Sequence, residues 1–134
     1  MEKNELKKIN GDLFFEVQRK GANSYIFTNW IGIQSLEAIM LGTNLVLSML
    51  RKEPCTAILN SNKELIGPWD EGALYMGNRW VREANALGVI HFAHVLAPGV
   101  YGRRSFEKFF RLAQSHLQIE VFETDAEAEA WLLS

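Results

Sequence analysis

Residues 55–96 read CTAILNSNKELIGPWDEGALYMGNRWVREANALGVIHFAHVL, in which two apolar runs flank a longer amphipathic stretch. The runs at 55–59 and 89–96 are almost continuously apolar, which is typical of strands that are covered on both faces. Between them, apolar residues recur at helical spacing from Asp70, a helix cap, to Gly88, a left-handed terminator. A strand, a helix and a second strand in this order predict a parallel βαβ unit with a right-handed crossover.

The alternation of strands and helices continues on both sides of this unit. Upstream, β-prone residues between 13 and 30 surround the turn at 21–23 and predict an antiparallel hairpin. A helix follows from the N-cap Ser35 and must end before Pro54. Downstream, Ser105 can cap a third helix, and a last strand over 118–122 precedes a short final helix.

The predicted fold is therefore α/β, with a single domain over residues 12–134. We expect a mixed, mostly parallel sheet of about five strands, with an antiparallel N-terminal hairpin and about four helices. Residues 1–11 are polar and charged. We expect them to form a polar N-terminal segment that is frayed at its start.

Composition excludes several classes of protein. The 134 residues are 48% hydrophobic, and 14 basic against 16 acidic residues give a net charge of −2, which argues against a dedicated nucleic-acid binder. The chain shows neither an apolar run of the roughly 20 residues that a membrane span needs nor a signal peptide at its start. With one cysteine, Cys55, no internal disulfide forms. We expect a cytoplasmic protein that needs no cofactor or metal.

One candidate site follows the strand that ends near residue 96. Glycines allow close approach of a ligand to the backbone, a helix N-terminus offers unpaired N–H groups, and arginines bind phosphate or carboxylate. This segment and the next candidate are both predicted to lie beyond the carboxyl ends of strands, at a switch point where the strand order reverses and ligands tend to bind. The alternative is that the glycines only shape the turn and the arginines are solvated. The predicted ligand-binding residues are Gly99, Tyr101, Gly102, Arg103, Arg104 and Ser105.

A second candidate site follows the first strand of the βαβ unit. Asn60, Ser61 and Asn62 are predicted to form a turn, where phosphorylation of Ser61 would add charge and change the docking of a partner. Trp69 can cover a partner surface or line an apolar pocket. The alternatives are that the three polar residues satisfy backbone groups of the turn and that Trp69 packs over the sheet edge.

The residues with catalytic potential do not form a recognisable pattern. His91 and His94 are three apart on a predicted strand, so their side chains point to opposite faces and cannot hold one metal ion. Cys55 lies in a predicted strand, where thiols are usually inert. The sequence contains no nucleophile elbow, zinc spacing or phosphate-loop motif. We therefore expect a protein that is not an enzyme.

Several local stretches, together with the order of elements, resemble the STAS family (sulphate transporter and anti-sigma-factor antagonist). The resemblance is to its SpoIIAA-like, STAS/SEC14-type group of small bacterial proteins, and it covers residues 13–132. The stretches that carry it are Trp30 and Gly32 before the long helix, Ile58-Leu59-Asn60 with the Gly-Pro-Trp loop, Trp80, Phe92-Ala93-His94-Val95, Val100-Tyr101-Gly102 and Ala130-Trp131-Leu132.

The resemblance implies a non-enzymatic regulatory module that interacts with another protein. In the anti-sigma-antagonist branch, a serine at the start of the helix after the third strand is phosphorylated, within an Asp-Ser-Ser-Gly-Leu-Gly-like stretch. This chain has Asn60-Ser61-Asn62-Lys63 and no such stretch. The SEC14-like side of the group implies a small apolar or lipid-like ligand.

Two hypotheses about function follow. The first is a regulatory module that binds an unidentified protein partner. The alternative is a small-molecule binder that holds an anionic head near residues 99–104 and an apolar body near Trp69 and Tyr101. A homodimer is compatible with either hypothesis.

Overall fold

Six strands, each beside its neighbour in chain order, organise residues 3–134, the part of the chain that this computed structural model describes. The strands are β1 Lys3–Lys7, β2 Leu13–Lys20, β3 Tyr25–Ile33, β4 Ala57–Ile66, β5 His91–Val95 and β6 Gln118–Phe122. The helices are α1 Leu36–Lys52, α2 over 70–86, α3 Val100–Ala113 and α4 Asp125–Leu133. Helix α2 consists of Asp70–Tyr75, a π-helical turn at Met76–Trp80, and Val81–Ala86.

The sheet has an antiparallel half and a parallel half. Strands β1, β2 and β3 pair antiparallel, whereas β3, β4, β5 and β6 pair parallel. This confirms the predicted α/β fold with its N-terminal hairpin and four helices. Because the order never reverses, the sheet has no topological switch point, and that part of the sequence prediction is wrong.

The sheet has six strands rather than about five because β1 lies in the segment that was predicted to be a polar extension. Its sequence KNELK has a single large apolar residue, Leu6, which packs against the core. An edge strand needs only one covered face, so a short polar stretch suffices and leaves little signal in the sequence. Residues 1 and 2, for which fraying was also expected, lie outside the described residues.

The two faces of the sheet are covered differently. Helices α1, α2 and α3 pack on one face around a core that includes Phe15, Trp30 and Phe92. The short α4 packs on the other face through Ala128 and Trp131. No helix within residues 3–134 combines the length and apolarity that a bilayer span requires.

Two local predictions are wrong, and both concern polar residues in the core. Asn60, Ser61 and Asn62 do not form a turn, because β4 continues through them to Ile66 and all three are buried. Helix α3 begins at Val100 after Gly99, so Ser105 is not its cap but a completely buried residue of its second turn. Partners distant in the sequence satisfy the side chains of Asn60 and Ser105.

Candidate functional site

Exposed apolar side chains occur where β3 and β4 end and where α3 begins. Ile33 and Ile66 are direct partners in the parallel register and are 65% and 61% exposed. Val100 and Tyr101, in the first turn of α3, are 53% and 60% exposed. We call Ile33, Ile66, Val100 and Tyr101 the apolar rim. Large side chains of this kind are normally buried, so a group of them at one edge marks a candidate interaction surface.

Close packing brings the start of α3 against the end of β4. A Cβ at Gly102 would lie 2.7 Å from Ala97 Cβ and 3.1 Å from Leu65 Cδ2, and 3.6 Å from the carbonyl oxygen of Gly67. Gly102 therefore lets the helix approach the strand, which places Val100 and Tyr101 beside the residues that follow Leu65. This glycine serves helix packing and has no space for a ligand next to it.

The arginines of the predicted ligand-binding segment differ in their surroundings. Arg103 donates from Nε to the carbonyl oxygen of Ala97 at 2.9 Å, and its Nη2 lies 3.3 Å from Glu123 Oε2. Arg104 is exposed, as are Gly99 and Tyr101. The structure therefore places Gly99, Tyr101 and Arg104 at the surface and uses Arg103 to hold the loop before α3. Ligand binding by this segment stays a prediction.

Ser105 joins the starts of α2 and α3. Its hydroxyl accepts from the backbone N–H of Trp69 at 2.8 Å and donates to Asp70 Oδ1 at 2.5 Å. Lys108 Nζ lies 2.7 Å from Asp70 Oδ2. The hydrogen bonds from Lys108 and then Ser105 hold the pKa of the Asp70 carboxyl below its usual value. The loop at 67–69 is therefore held against α3 beside the rim.

A row of buried polar side chains crosses the central strands. Asn60 Oδ1 accepts from Thr28 Oγ1 at 2.9 Å and from Trp30 Nε1 at 2.8 Å. Asn60 Nδ2 lies 3.2 Å from His94 Nδ1. Since the amide oxygen already accepts two donors, the amide nitrogen donates, and His94 Nδ1 accepts.

His94 is a core residue and does not act as a titrating group at neutral pH. Its ring stacks on Phe106 with centroids 3.8 Å apart, and burial lowers the pKa of His94 to about 3. His91 lies on the opposite face and packs edge-on against Trp131 at 5.6 Å. The prediction that the two histidines point to opposite faces is confirmed.

The remaining predicted residues are buried rather than presented to a partner. Ser61 is completely buried in β4, so a kinase reaches its hydroxyl only if the strand opens. Trp69 is 5% exposed. Cys55 is buried, and its Sγ lies 3.3 Å from the carbonyl oxygen of Asn23. Within residues 3–134, no three His, Cys, Asp or Glu side chains are placed to hold a metal ion.

Sequence reasoning missed Ile33, Ile66 and Val100 as surface residues. An isoleucine in a β-prone stretch is usually part of the core, and the sequence does not distinguish the exposed Ile66 from the buried Ile58. One signal was present: both exposed isoleucines immediately precede a loop at the carboxyl end of a strand. Ligand and partner sites of parallel sheets concentrate at such ends.

The fold is shared with solved structures of one bacterial protein. The structure of the anti-sigma factor antagonist SpoIIAA in its unphosphorylated form matches with a TM-score of 0.64 and 15% identity, over 89% of this chain and 96% of that chain. The structure of the Bacillus cell fate determinant SpoIIAA in the phosphorylated form matches with a TM-score of 0.58 and 16% identity, over 88% and 98%. No protein-family model and no curated protein matches the sequence. The chain therefore has the SpoIIAA-like STAS fold, and the resemblance inferred from its sequence is confirmed at the level of the fold.

Proposed function

We propose that this protein is a non-enzymatic regulatory module that binds another protein through the apolar rim. The observation that carries the proposal is the exposure of four large apolar side chains, Ile33, Ile66, Val100 and Tyr101, where β3 and β4 end and α3 begins. Because each of these side chains is already partly covered, burying the rest against a partner gains about 1–2 kcal/mol per side chain before the cost of association. The partner surface is accordingly apolar at its centre.

Charged residues of both signs surround the rim, since the exposed Arg104 follows Tyr101, and Lys7 and Lys8 line a groove with Ile33. Acidic residues flank it at Glu37, Asp70 and Glu71, and these line a cleft of about 520 Å³ at the starts of α1 and α2. The rim therefore lacks the excess of basic residues by which anionic lipid surfaces attract proteins. A protein with apolar side chains at its centre and basic side chains beside them complements both features.

The similar structures support the class of function by analogy. They are of an anti-sigma factor antagonist, a kind of protein named for its action against another protein. Because a shared fold does not fix a function, this supports protein binding in general and no particular pathway.

The proposal does not depend on phosphorylation at the start of α2. Residues 67–72 read GPWDEG and contain no hydroxyl side chain, and Asp70 is the first residue of the helix. Ser61, which the sequence suggested instead, precedes the helix within β4 and is buried. If phosphorylation controls binding in this protein, it acts at a different hydroxyl or after β4 opens.

A second candidate function is the binding of a small anion at residues 99–105. The observation in its favour is that α3 begins after Gly99, which provides no side-chain cap, and that Arg104 is exposed one turn later. A thermal-shift series with inorganic phosphate and citrate tests it, because a ligand that binds only the folded state raises Tm. The increase must disappear in Arg104→Ala for this function to stand.

Photo-crosslinking tests the proposed protein-binding function. A photoreactive phenylalanine analogue replaces Tyr101 in the full chain, and a matched variant carries it at Ile90, which is 50% exposed at the amino end of β5. We expect the analogue at 101, in cells that naturally contain the protein, to give one adduct with a defined heterologous protein. The analogue at 90 should give none, and adding Ile33→Asp should abolish the adduct at 101.

Three results would contradict the proposal. Equal adducts at both positions would show a non-specific surface. An adduct of twice the chain mass alone would show that the rim joins two copies of this chain. An adduct with lipid alone would show a membrane-binding surface.

A further inference from the structure

A small cavity lies beneath the loop that precedes α2. It is bounded by β3, β4, α1 and α2, and its volume is about 10 Å³. A cavity of this size accommodates the centre of one water-sized sphere and nothing larger. The residues that line it are Trp30, Ile39, Asn62, Leu65, Trp69 and Met76.

Two polar atoms of the cavity residues have no hydrogen-bond partner within the protein. Asn62 Oδ1 is an acceptor and Trp69 Nε1–H is a donor, and both atoms are buried. The buried indoles of Trp30 and Trp80 differ from Trp69, because they donate to Asn60 Oδ1 at 2.8 Å and to the carbonyl oxygen of Thr43 at 3.0 Å. Leaving a buried donor or acceptor unpaired costs about 1–3 kcal/mol.

The pair of groups defines the chemistry of the occupant. A cation would face the positive hydrogen of the Trp69 indole, and an anion would face Asn62 Oδ1. The occupant is therefore neutral, and it accepts one hydrogen bond and donates another. With the volume of the cavity, these requirements leave a single water molecule.

We propose that this cavity binds one water molecule, which accepts from Trp69 Nε1 and donates to Asn62 Oδ1. The water joins the middle of β4 to the loop at 67–69. That loop is tied on its other side to α3, through the hydrogen bond from the Trp69 backbone to Ser105. The bound water is thus a second tie that positions the loop beside the apolar rim, and it does not depend on what the rim binds.

Magnetisation transfer from water to the indole N–H groups tests this site. The wild-type protein, labelled with ¹⁵N, is measured by NOE and ROE spectroscopy, and Trp80, which is equally buried but does not line the cavity, serves as the internal control. We expect a cross-peak between water and Trp69 Hε1 with the sign that marks a long-lived bound molecule, and no such cross-peak at Trp80. In Asn62→Leu, which removes the acceptor, we expect the cross-peak to disappear.

The wild-type measurement decides the question even if the variant does not fold. A missing water cross-peak at Trp69 Hε1 would overturn the proposal. So would a cross-peak from Trp69 Hε1 to the Asn62 amide in its place, because the two side chains would then bond directly. Persistence of the full cross-peak in folded Asn62→Leu would also overturn it, since the water would then be held without Asn62.

Discussion

Replacing Asn60 by leucine tests the buried polar row that connects the three central strands. The variant removes the acceptor of Trp30 Nε1 and the donor to His94 Nδ1, and both partners are buried. Thr28 Oγ1 retains an alternative acceptor, the carbonyl oxygen of Leu59, at 3.3 Å. Leaving these two groups unpaired, at about 1–3 kcal/mol each, should lower the free energy of unfolding by about 2–6 kcal/mol. Burial of the apolar leucine side chain offsets part of this loss, so we expect the free energy of unfolding to fall by about 3 kcal/mol in total.

Urea unfolding followed by tryptophan fluorescence measures this loss as a lower midpoint at an unchanged m value. Thr28→Val is the matched control, because it removes one hydroxyl and leaves the bond between Trp30 and Asn60, so it should cost about 1 kcal/mol. Adding His94→Phe to Asn60→Leu removes one of the unpaired groups, and the double variant should lose less than the sum of the single ones. If Asn60→Leu costs no more than Thr28→Val, the row does not contribute as described.

Three further predictions concern the stability of the protein. Gly102→Ala should lower the free energy of unfolding, measured in urea, by about 1–3 kcal/mol, because its Cβ would lie 2.7 Å from Ala97 Cβ. Gly99→Ala has no atom within 4 Å of its Cβ and should cost only the preference for glycine over alanine at the N-cap, about 0.5–1 kcal/mol. Ser61→Asp should lower the free energy of unfolding by about 3–5 kcal/mol, because it buries an unpaired charge in β4. A decrease of less than about 1 kcal/mol would show that the side chain at position 61 is accessible to water. Burial lowers the pKa of His94 to about 3, so between about pH 6.5 and pH 3 the His94 ring is protonated in the unfolded chain but not in the folded protein. The free energy of unfolding should therefore fall on acidification through this range, by up to about 1.4 kcal/mol per pH unit. His94→Gln should remove this part of the slope between about pH 6.5 and 5, above the range in which carboxyl groups titrate, and an unchanged slope would contradict the assignment.

The sequence predicted the strands and helices that are determined by residues close together in the chain. The apolar run before Asn60 and the run through Phe92 are strands, as expected, because a short continuous apolar stretch is covered on both faces only in the interior of a sheet. Helix α1 begins after Ser35, whose hydroxyl accepts from the backbone N–H of Ala38 at 3.1 Å. Capping and periodicity act over a few residues, so a single sequence shows them.

The sequence did not predict features that depend on distant partners. Asn60 and Ser61 are typical turn residues, and only the cross-strand partners Thr28, Trp30 and His94 explain why Asn60 lies inside β4. Ser105 is a typical helix cap, but its hydroxyl bonds to residues at the start of α2.

The apolar rim shares one residue, Tyr101, with the segments that the sequence suggested as sites. The segment at 99–105 follows β5 and includes the start of α3, whereas Asn60, Ser61 and Asn62 lie inside β4, before the end that contributes Ile66 to the rim. The glycines and polar side chains that suggested a site are mostly used for packing, whereas the exposed surface is formed by apolar residues such as Ile33 and Ile66. Exposure depends on which strand ends project beyond the helices, and that is a property of the whole fold.

The most direct test of the central claim is a methyl spectrum of the complex with the crosslinked partner. In protein labelled at isoleucine δ1 methyl groups, Ile33 and Ile66 report on the rim, and Ile90 reports on the opposite end of the sheet. The account predicts that the partner shifts or broadens the Ile33 and Ile66 signals and leaves Ile90 unchanged. Perturbation of Ile90 with unchanged Ile33 and Ile66 would contradict the claim that the apolar rim is the binding surface.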